Sequence, residues 1–310
     1  MWWALVFGLS VAGAQDRGAR SDDAAFVDDG DTPSPPAPRD RLYYTNATFA
    51  RLNPLGLIDL YRIGWRRRLS TSDSVLLQDT YTFIGPSAMV TPAYSRVGVY
   101  GEAQVLAVLR VFADVSAVGY YGTFDQIQSS DDPSIRYSDQ TLAGLGDSAR
   151  AGGGWVATVG GTVRAKAGPV AVRSTGTWTR YDLGLDGDTY FYDQYWDRLA
   201  PDGGWMVLVD SDVLVVSGKL RLGARHTFSD TLDGVEGTDG ALAHHRVGPL
   251  FAWQFSDQAP GAKVNHPTLF AIAQWWAQHP YRTGDEQPAA LPLIAVGVSF
   301  DGDLAVSGRK

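Results

Sequence analysis

Residues 153–181 read GGWVATVGGTVRAKAGPVAVRSTGTWTRY, and their two-residue rhythm decides the fold. Trp155, Ala157, Val159 and Val163 share one parity, while Thr158, Thr162, Arg164 and Lys166 share the other. After Ala167-Gly168 the alternation resumes, with Val170, Val172 and Trp178 set against Arg173, Thr175, Thr177 and Thr179. A period of two puts one set of side chains on each face of an extended strand, so the stretch predicts two strands joined by a tight turn.

The same signature recurs along the chain. Segment 105–121 carries Val105, Ala107, Leu109, Val111, Ala113 and Val115 on one face, and Arg110, Asp114 and Ser116 on the other. Val207, Val209, Val213 and Val215 oppose Asp210 and Asp212; Leu220, Leu222 and Phe228 oppose Lys219, Arg221 and Arg225. Val247, Phe251, Trp253 and Phe255 oppose Arg246, Gln254 and Ser256, and Ile294, Val296, Val298 and Phe300 line one face of the last segment. Around 74–84, Val75, Leu77, Tyr81 and Phe83 alternate with Gln78, Thr80 and Thr82. With segments 42–51, 56–68, 93–102 and 266–279 the reading reaches twelve strands, and ten to fourteen are compatible with it. The least regular are the first, interrupted by Asn53-Pro54-Leu55-Gly56, and the eleventh, where Trp275-Trp276 leaves the register open.

The joints sort by length. Those after even-numbered segments (69–73, 102–104, 167–168, 216–217, 257–265) are mostly short, whereas the later ones after odd-numbered segments (122–152, 182–203, 230–244, 280–290) are long. An even strand count lets a sheet close on itself with no unpaired edge in lipid, and short turns at one end with long loops at the other belong to that architecture. The fold class predicted is therefore all-β, a single-chain antiparallel transmembrane β-barrel over residues 41–302 with a tail at 303–310. Both termini fall at the short-turn end, which would be the periplasmic side. Tyr81, Phe83, Tyr120, Tyr121, Trp178, Tyr181, Trp205, Trp253, Phe255, Trp275 and Trp276 are expected mostly beside the long loops, at headgroup level. A slightly negative mean hydropathy and the lack of an 18-residue apolar run argue against membrane helices. With no Cys, disulfides, thiolate metal sites and a lipidated cysteine are all excluded.

Met1–Ala14 is a short apolar stretch ending in Ala12-Gly13-Ala14, which reads as a secretory signal peptide lacking the usual basic start; an N-terminal apolar strand is the other reading. Residues 15–40 are acidic and proline-rich, a solvated periplasmic tail.

On its Ala50-Arg51-Leu52-Asn53-Pro54-Leu55-Gly56 entry, its Tyr120-Tyr121-Gly122-Thr123-Phe124 exit from a long strand, and the strand pattern itself, the chain resembles Gram-negative outer-membrane β-barrel proteins. The likeness covers residues 41–302 and is to barrels of an uncharacterised type. It implies outer-membrane lipid, lipopolysaccharide and the barrel-assembly machinery as partners, and no cofactor. Such barrels end on an aromatic residue; here Phe300 is followed by ten residues, which moves that signal inward.

The chemistry expected is that of the polar face. Arg62, Arg66, Arg96, Arg110, Arg164, Arg173, Arg221, Arg225 and Arg246 fall opposite the apolar parity, with Glu102, Asp114, Asp210 and Asp212 as partners. If that face lines a lumen, it is either a closed ion-pair network or an anion-leaning passage or solute site. The long loops carry the opposite sign, with five acidic residues to two basic between 125 and 152 and five to one between 183 and 202. Asp182, Asp186, Asp188 and Asp193 partly match a twelve-residue calcium loop but lack its acid at position 3 and its final Glu. His244-His245 is read as an outer-loop pair that could bind a metal, more often incidental. A net charge of −8 disfavours nucleic-acid binding. The function expected is a non-enzymatic outer-membrane barrel, either a small-solute channel or a structural surface protein. The alternatives are a lipid-modifying barrel enzyme, for which His226 and Ser229 are the residues to test, and a soluble secreted β-sandwich.

Overall fold

The structure, a computed structural model, describes residues 38–72, 74–77, 80–232, 243–256, 262–283 and 288–306. The expected signal peptide at 1–14 and the tail up to residue 37 lie outside the described residues. Twelve strands close into one barrel: β1 (Asp40–Leu52), β2 (Gly56–Arg68), β3 (Tyr81–Val90), β4 (Tyr94–Leu106), β5 (Leu109–Tyr121), β7 (Ala151–Ala167), β8 (Val170–Asp182), β11 (Trp205–Ser217), β12 (Leu220–Thr231), β13 (His244–Gln254), β14 (Asn265–Gln278) and β15 (Leu293–Val306). Every neighbouring pair is antiparallel, and β1 closes the seam against β15 from Arg41↔Val306 to Leu52↔Ile294. Closure satisfies the backbone donors and acceptors that an open sheet edge would leave bare.

The two ends differ as the joint lengths predict. One end, the turn end, holds the connections 69–80, 107–108, 168–169, 218–219 and 255–264; the other, the loop end, holds 53–55, 91–93, 122–150, 183–204, 232–243 and 279–292. Gly168 (φ +58°) and Gly218 (φ +52°) supply the left-handed conformation that the two-residue hairpins demand. From the loop end a short sheet of β6 (Ser129–Ser130), β9 (Tyr190–Asp193) and β10 (Arg198–Pro201) is added, in the order β10-β9-β6, with one helical turn, α1 (Asp139–Gly144).

Three expectations are corrected. The third strand spans 81–90, not 74–84, because serine side chains capture the preceding backbone: Ser72 N donates to Ser70 Oγ, Ser74 N to Ser72 Oγ, and Leu77 N to the Ser74 carbonyl. The last strand runs on to Val306, since Leu42 and Arg41 still pair with Ala305 and Val306. The aromatic residues form two girdles rather than one. Tyr121, Trp155, Trp178 and Trp275 face outward near the loop end, and Trp65, Trp253 and Phe255 near the turn end. Tyr81, Phe83, Tyr120, Tyr181 and Trp276 point inward and are buried.

Between the girdles the outer surface is predominantly apolar. Val97, Val115 and Val213 are 60%, 59% and 54% exposed, values that for branched aliphatic side chains in rows require an apolar solvent.

Candidate functional site

Inside the barrel the chemistry inverts. Along β1 the inward parity is Arg41, Tyr43, Thr45, Ala47, Phe49 and Arg51, all buried; along β12 it includes Arg221, Arg225, Thr227 and Ser229. A polar interior inside a belt of exposed valines is the reverse of a water-soluble sandwich. The chain is a transmembrane β-barrel. The soluble-sandwich alternative falls with it.

Near the turn end of the lumen, arginines stack on rings. The Arg66 guanidinium lies 3.6 Å from the Tyr81 ring centre and 4.8 Å from that of Tyr43, and Arg41 pairs with Asp303 at 3.3 Å. Tyr81 and Tyr100 donate their hydroxyls to Glu102 at 3.0 and 2.8 Å. Arg110 donates to Thr162 at 3.0 Å, Arg164 to the Ala107 carbonyl at 2.8 Å, and Arg221 to Gln254 at 3.0 Å.

At mid-height the wall splits into two territories. On β8, β11 and β12, Asp212 accepts from Arg173 and Arg225, each at 2.7 Å at its nearest, while Asp210 lies 3.4 Å from Arg225 and accepts from Thr227. Asp212 is fully buried, so two guanidinium groups offset the cost of removing its charge from water. On the opposite wall Arg62 stacks on Tyr100 at 3.8 Å, and Asp114 accepts from Ser87 at 2.5 Å and from Ser116. This second territory surrounds a cavity of about 60 Å³, lined by Thr45, Arg62, Ser87, Arg96, Tyr100, Asp114, Ser116, Thr158 and Thr177 among others. Ala47, Leu60, Met89 and Phe112 also line it, and the lining is more apolar than polar.

The loop end is stoppered. Phe191 of β9 and Tyr195 and Trp196 just after it join Phe49, Leu60, Met89, Tyr94, Val118, Tyr120, Met206 and Leu208 of the barrel wall in one buried apolar cluster. Three polar ties hold the stopper to the wall, and a fourth holds it to the neighbouring loops. Arg51 donates to the carbonyls of Tyr195, at 2.7 Å, and Gln194. Arg96 donates to the Tyr181 hydroxyl at 2.6 Å, which in turn donates to Asp193. Arg198 donates to Ser229 at 2.5 Å and Thr231 at 2.6 Å.

The fourth tie centres on Asp197, between β9 and β10. It accepts twice from Arg282, once from Tyr192 at 2.8 Å, and faces His279 Nε2 at 3.5 Å; the Asp197, Arg282 and His279 side chains are all fully buried. Arg282 NH1 also donates to Asn53 at 2.5 Å. Burial alone would raise the Asp197 carboxyl, but Arg282 and His279 hold it below the usual carboxylate range. Burial pushes the His279 imidazole down to about 4 against the opposing pull of Asp197. Its Nδ1 accepts from Tyr281 N at 3.3 Å and its Nε2 donates to the Asp197 carbonyl at 3.0 Å, an arrangement that suits the neutral ring.

All twelve lumen residues expected from the sequence face inward, but as separate groups. Arg173, Asp210, Asp212 and Arg225 form one network; Arg62, Arg96 and Asp114 surround the cavity; Arg66, Arg110, Arg164 and Arg221 lie toward the turn end; Arg246 stacks on Trp276 at 5.2 Å beneath the stopper. Arg51, Asp197, Arg198, His279 and Arg282 were not expected. No local spacing could reveal Asp197 and Arg282, which are 85 residues apart.

The structure places the four carboxylates of the partial calcium-loop match in separate settings. Asp186 pairs with Arg150 at 2.7 Å, Asp188 accepts from Ser129, Asp193 is buried under Tyr181, and Asp182 is exposed at the end of β8. Among the described residues no three His, Asp or Glu side chains converge on a metal position. His244 and His245 open β13 rather than lying in a loop, and they point to opposite faces: His244 stacks on His279 inside, His245 on His226 outside. His226 is outward and Ser229 inward on β12, so they cannot act as base and nucleophile for one another.

No protein-family model and no curated protein matches the chain. Among solved structures it is similar to the Acinetobacter baumannii outer membrane protein Omp33 (TM-score 0.35, 10% identity, covering 86% of this chain and 99% of that one). It is also similar to Salmonella typhi OmpF (0.34, 9%, 86% and 98%) and to a mutant of TodX, a monoaromatic hydrocarbon channel (0.36, 10%, 92% and 93%). At such scores the correspondence is one of barrel shape, and only the chain's own geometry bears on what it does.

Proposed function

We propose that this chain is an outer-membrane channel for small polar solutes, with an anion-leaning lumen, held shut in the state seen here by its own loops. The observation that carries the reading is the mid-height cavity of about 60 Å³ beneath the stopper, where Arg62, Arg96, Asp114 and hydroxyl side chains share the wall with Leu60, Met89 and Phe112. Charged and hydroxyl groups facing a common space are what line a pore that passes polar solutes. Arginines outnumber carboxylates on the wall, where Glu102, Asp114, Asp210, Asp212, Asp301 and Asp303 are the acids among the inward residues of the described strands. The acidic long loops would form the cell-surface rim, and the turn end, with both termini of the barrel, would face the periplasm. The role is non-catalytic.

Planar-bilayer recording of the purified chain tests the reading. Small conductance steps are expected, with a reversal potential favouring anions under a salt gradient, and Arg62→Glu moves that potential toward cations. Insertion that stays electrically silent at all voltages would refute the channel and leave a structural surface barrel.

A further inference from the structure

The lipid-facing belt is interrupted by an ionisable group. Asp59, the fourth residue of β2, points outward; its Oδ1 accepts from Asn46 at 2.8 Å and from Thr48 at 2.7 Å, both outward on β1. Asp59 is not at the rim. Leu57, Leu55 and Leu52, 51–70% exposed, lie beyond it toward the loop end, and Tyr61 and Val90 flank it. At ~3.4 Å per residue and a tilt of ~40°, three residues from the strand start place its Cα roughly 8 Å inside. A short carboxylate cannot reach back to the headgroups from there as a lysine would. Its Oδ2 has no hydrogen-bond donor among the described residues.

A second interruption lies elsewhere on the same belt. His226 of β12 and His245 of β13 face outward, with Nε2 of the first 3.1 Å from Nδ1 of the second and the rings stacked at 5.4 Å. One ring donates that shared hydrogen. With both rings neutral, the accepting ring carries its proton on the other nitrogen, so the outward-facing pair always keeps one N–H beyond its shared hydrogen bond. Ser211 lies beside His226 across the β11–β12 register. The outward faces of β3, β4 and β5 and of β14 and β15 otherwise carry only apolar or small residues in mid-strand.

We propose that the Asp59 face of one copy docks on the His226–His245 face of a second copy in the membrane, the carboxylate accepting the N–H that the histidine pair holds outward. The two patches are complementary in hydrogen bonding, an unfilled carboxylate oxygen against an N–H; both lie in the loop-end half of the belt, and lipid satisfies neither. Four strands (β1, β15, β14 and β13) separate the two seams, roughly 120° of a twelve-strand wall. The contact therefore joins unlike faces and builds a row or an open-centred ring, not a back-to-back pair. The proposal rests on the belt lying in a bilayer and is independent of the channel reading.

The chain lacks Cys, so single thiols report the contact cleanly. Two differently tagged copies, Ala50→Cys beside the Asp59 cluster and Ala224→Cys beside His226, are co-expressed, and membranes are oxidised after a urea wash that leaves only integral protein. The expected product is the mixed 50–224 disulfide, with neither variant cross-linking to itself. Asp59→Asn in the first copy lowers its yield at least about tenfold, the lower end for a hydrogen bond to a charged group. A 50–50 or 224–224 product would replace the proposed contact with a two-fold one and overturn it. Washed, inserted protein with no cross-link means that the belt meets lipid alone, which also overturns it. Protein stripped by urea would sink the transmembrane reading together with the contact.

Discussion

Replacing Asp197 by Asn isolates the tie that keeps the stopper seated. The amide keeps the size of the carboxylate and an oxygen for Tyr192 but removes the charge opposite Arg282, whose side chain has no exposure. Breaking one half of a buried ion pair costs ~3–5 kcal/mol, because the surviving charge stays out of water. With the stopper lifted, Arg282 reaches solvent and that cost disappears, so the whole penalty falls on the closed form. The balance should move toward open by roughly a hundred- to several-thousand-fold. A thiol at Ser116→Cys, on the cavity wall, reads the change through its rate of modification by a charged maleimide added from the loop side. Asp139→Asn is the control: Asp139 also lies 3.4 Å from Arg282 but is 63% exposed, and a pair of that kind is worth ~0–1 kcal/mol. Equal modification rates in wild type and Asp197→Asn would show that the stopper does not depend on this pair.

Acid should loosen the same closure. The seated His279 titrates near 4 and a released one near 6.5, so the released form takes up the proton first. Closure then weakens as pH falls from 6.5 to 4, by ~3 kcal/mol in all, and is flat above 7; the Ser116→Cys rate should climb over that window and lose much of its slope in His279→Gln. Asp212→Asn removes the buried carboxylate that Arg173 and Arg225 share, a loss of ~3–5 kcal/mol that should lower the sample temperature at which the folded band disappears on gels. Val213→Arg, outward near the middle of β11, should cost ~2–4 kcal/mol in denaturant titrations of vesicle-folded protein, whereas the same change at exposed Leu232, past the end of β12, should cost close to nothing.

The barrel was legible because each membrane strand reports its two environments locally. In Val170–Asp182 the wall is written residue by residue, Val172 and Trp178 out, Arg173, Thr175, Thr177 and Thr179 in. The stopper was not, for the same physical reason. Tyr190–Asp193 is buried on both sides for most of its length, so no alternation marks it, and β6 is two residues long. The false start at Val75–Leu77 kept the correct period, but hydroxyl-to-backbone bonds at Ser70 and Ser72 bent the chain there. The lumen arginines were recognisable by parity alone. Their sorting into a network, a cavity wall and ring stacks depends on which strands face one another across the barrel, which spacing along one strand does not encode.

The pairing of Asp197 with Arg282 also dictates an order of events in the making of the molecule. Arg282 sits between β14 and β15, the last two staves, and β15 is the strand that zips onto β1. Until that final hairpin arrives, Asp197 has no guanidinium to meet, and seating the stopper early would bury a bare carboxylate. The other three ties join elements that precede this hairpin, so the Asp197 tie is the last of the four that the chain can complete. One arrival, that of the C-terminal hairpin, closes the wall and supplies the stopper's fully buried ion pair together.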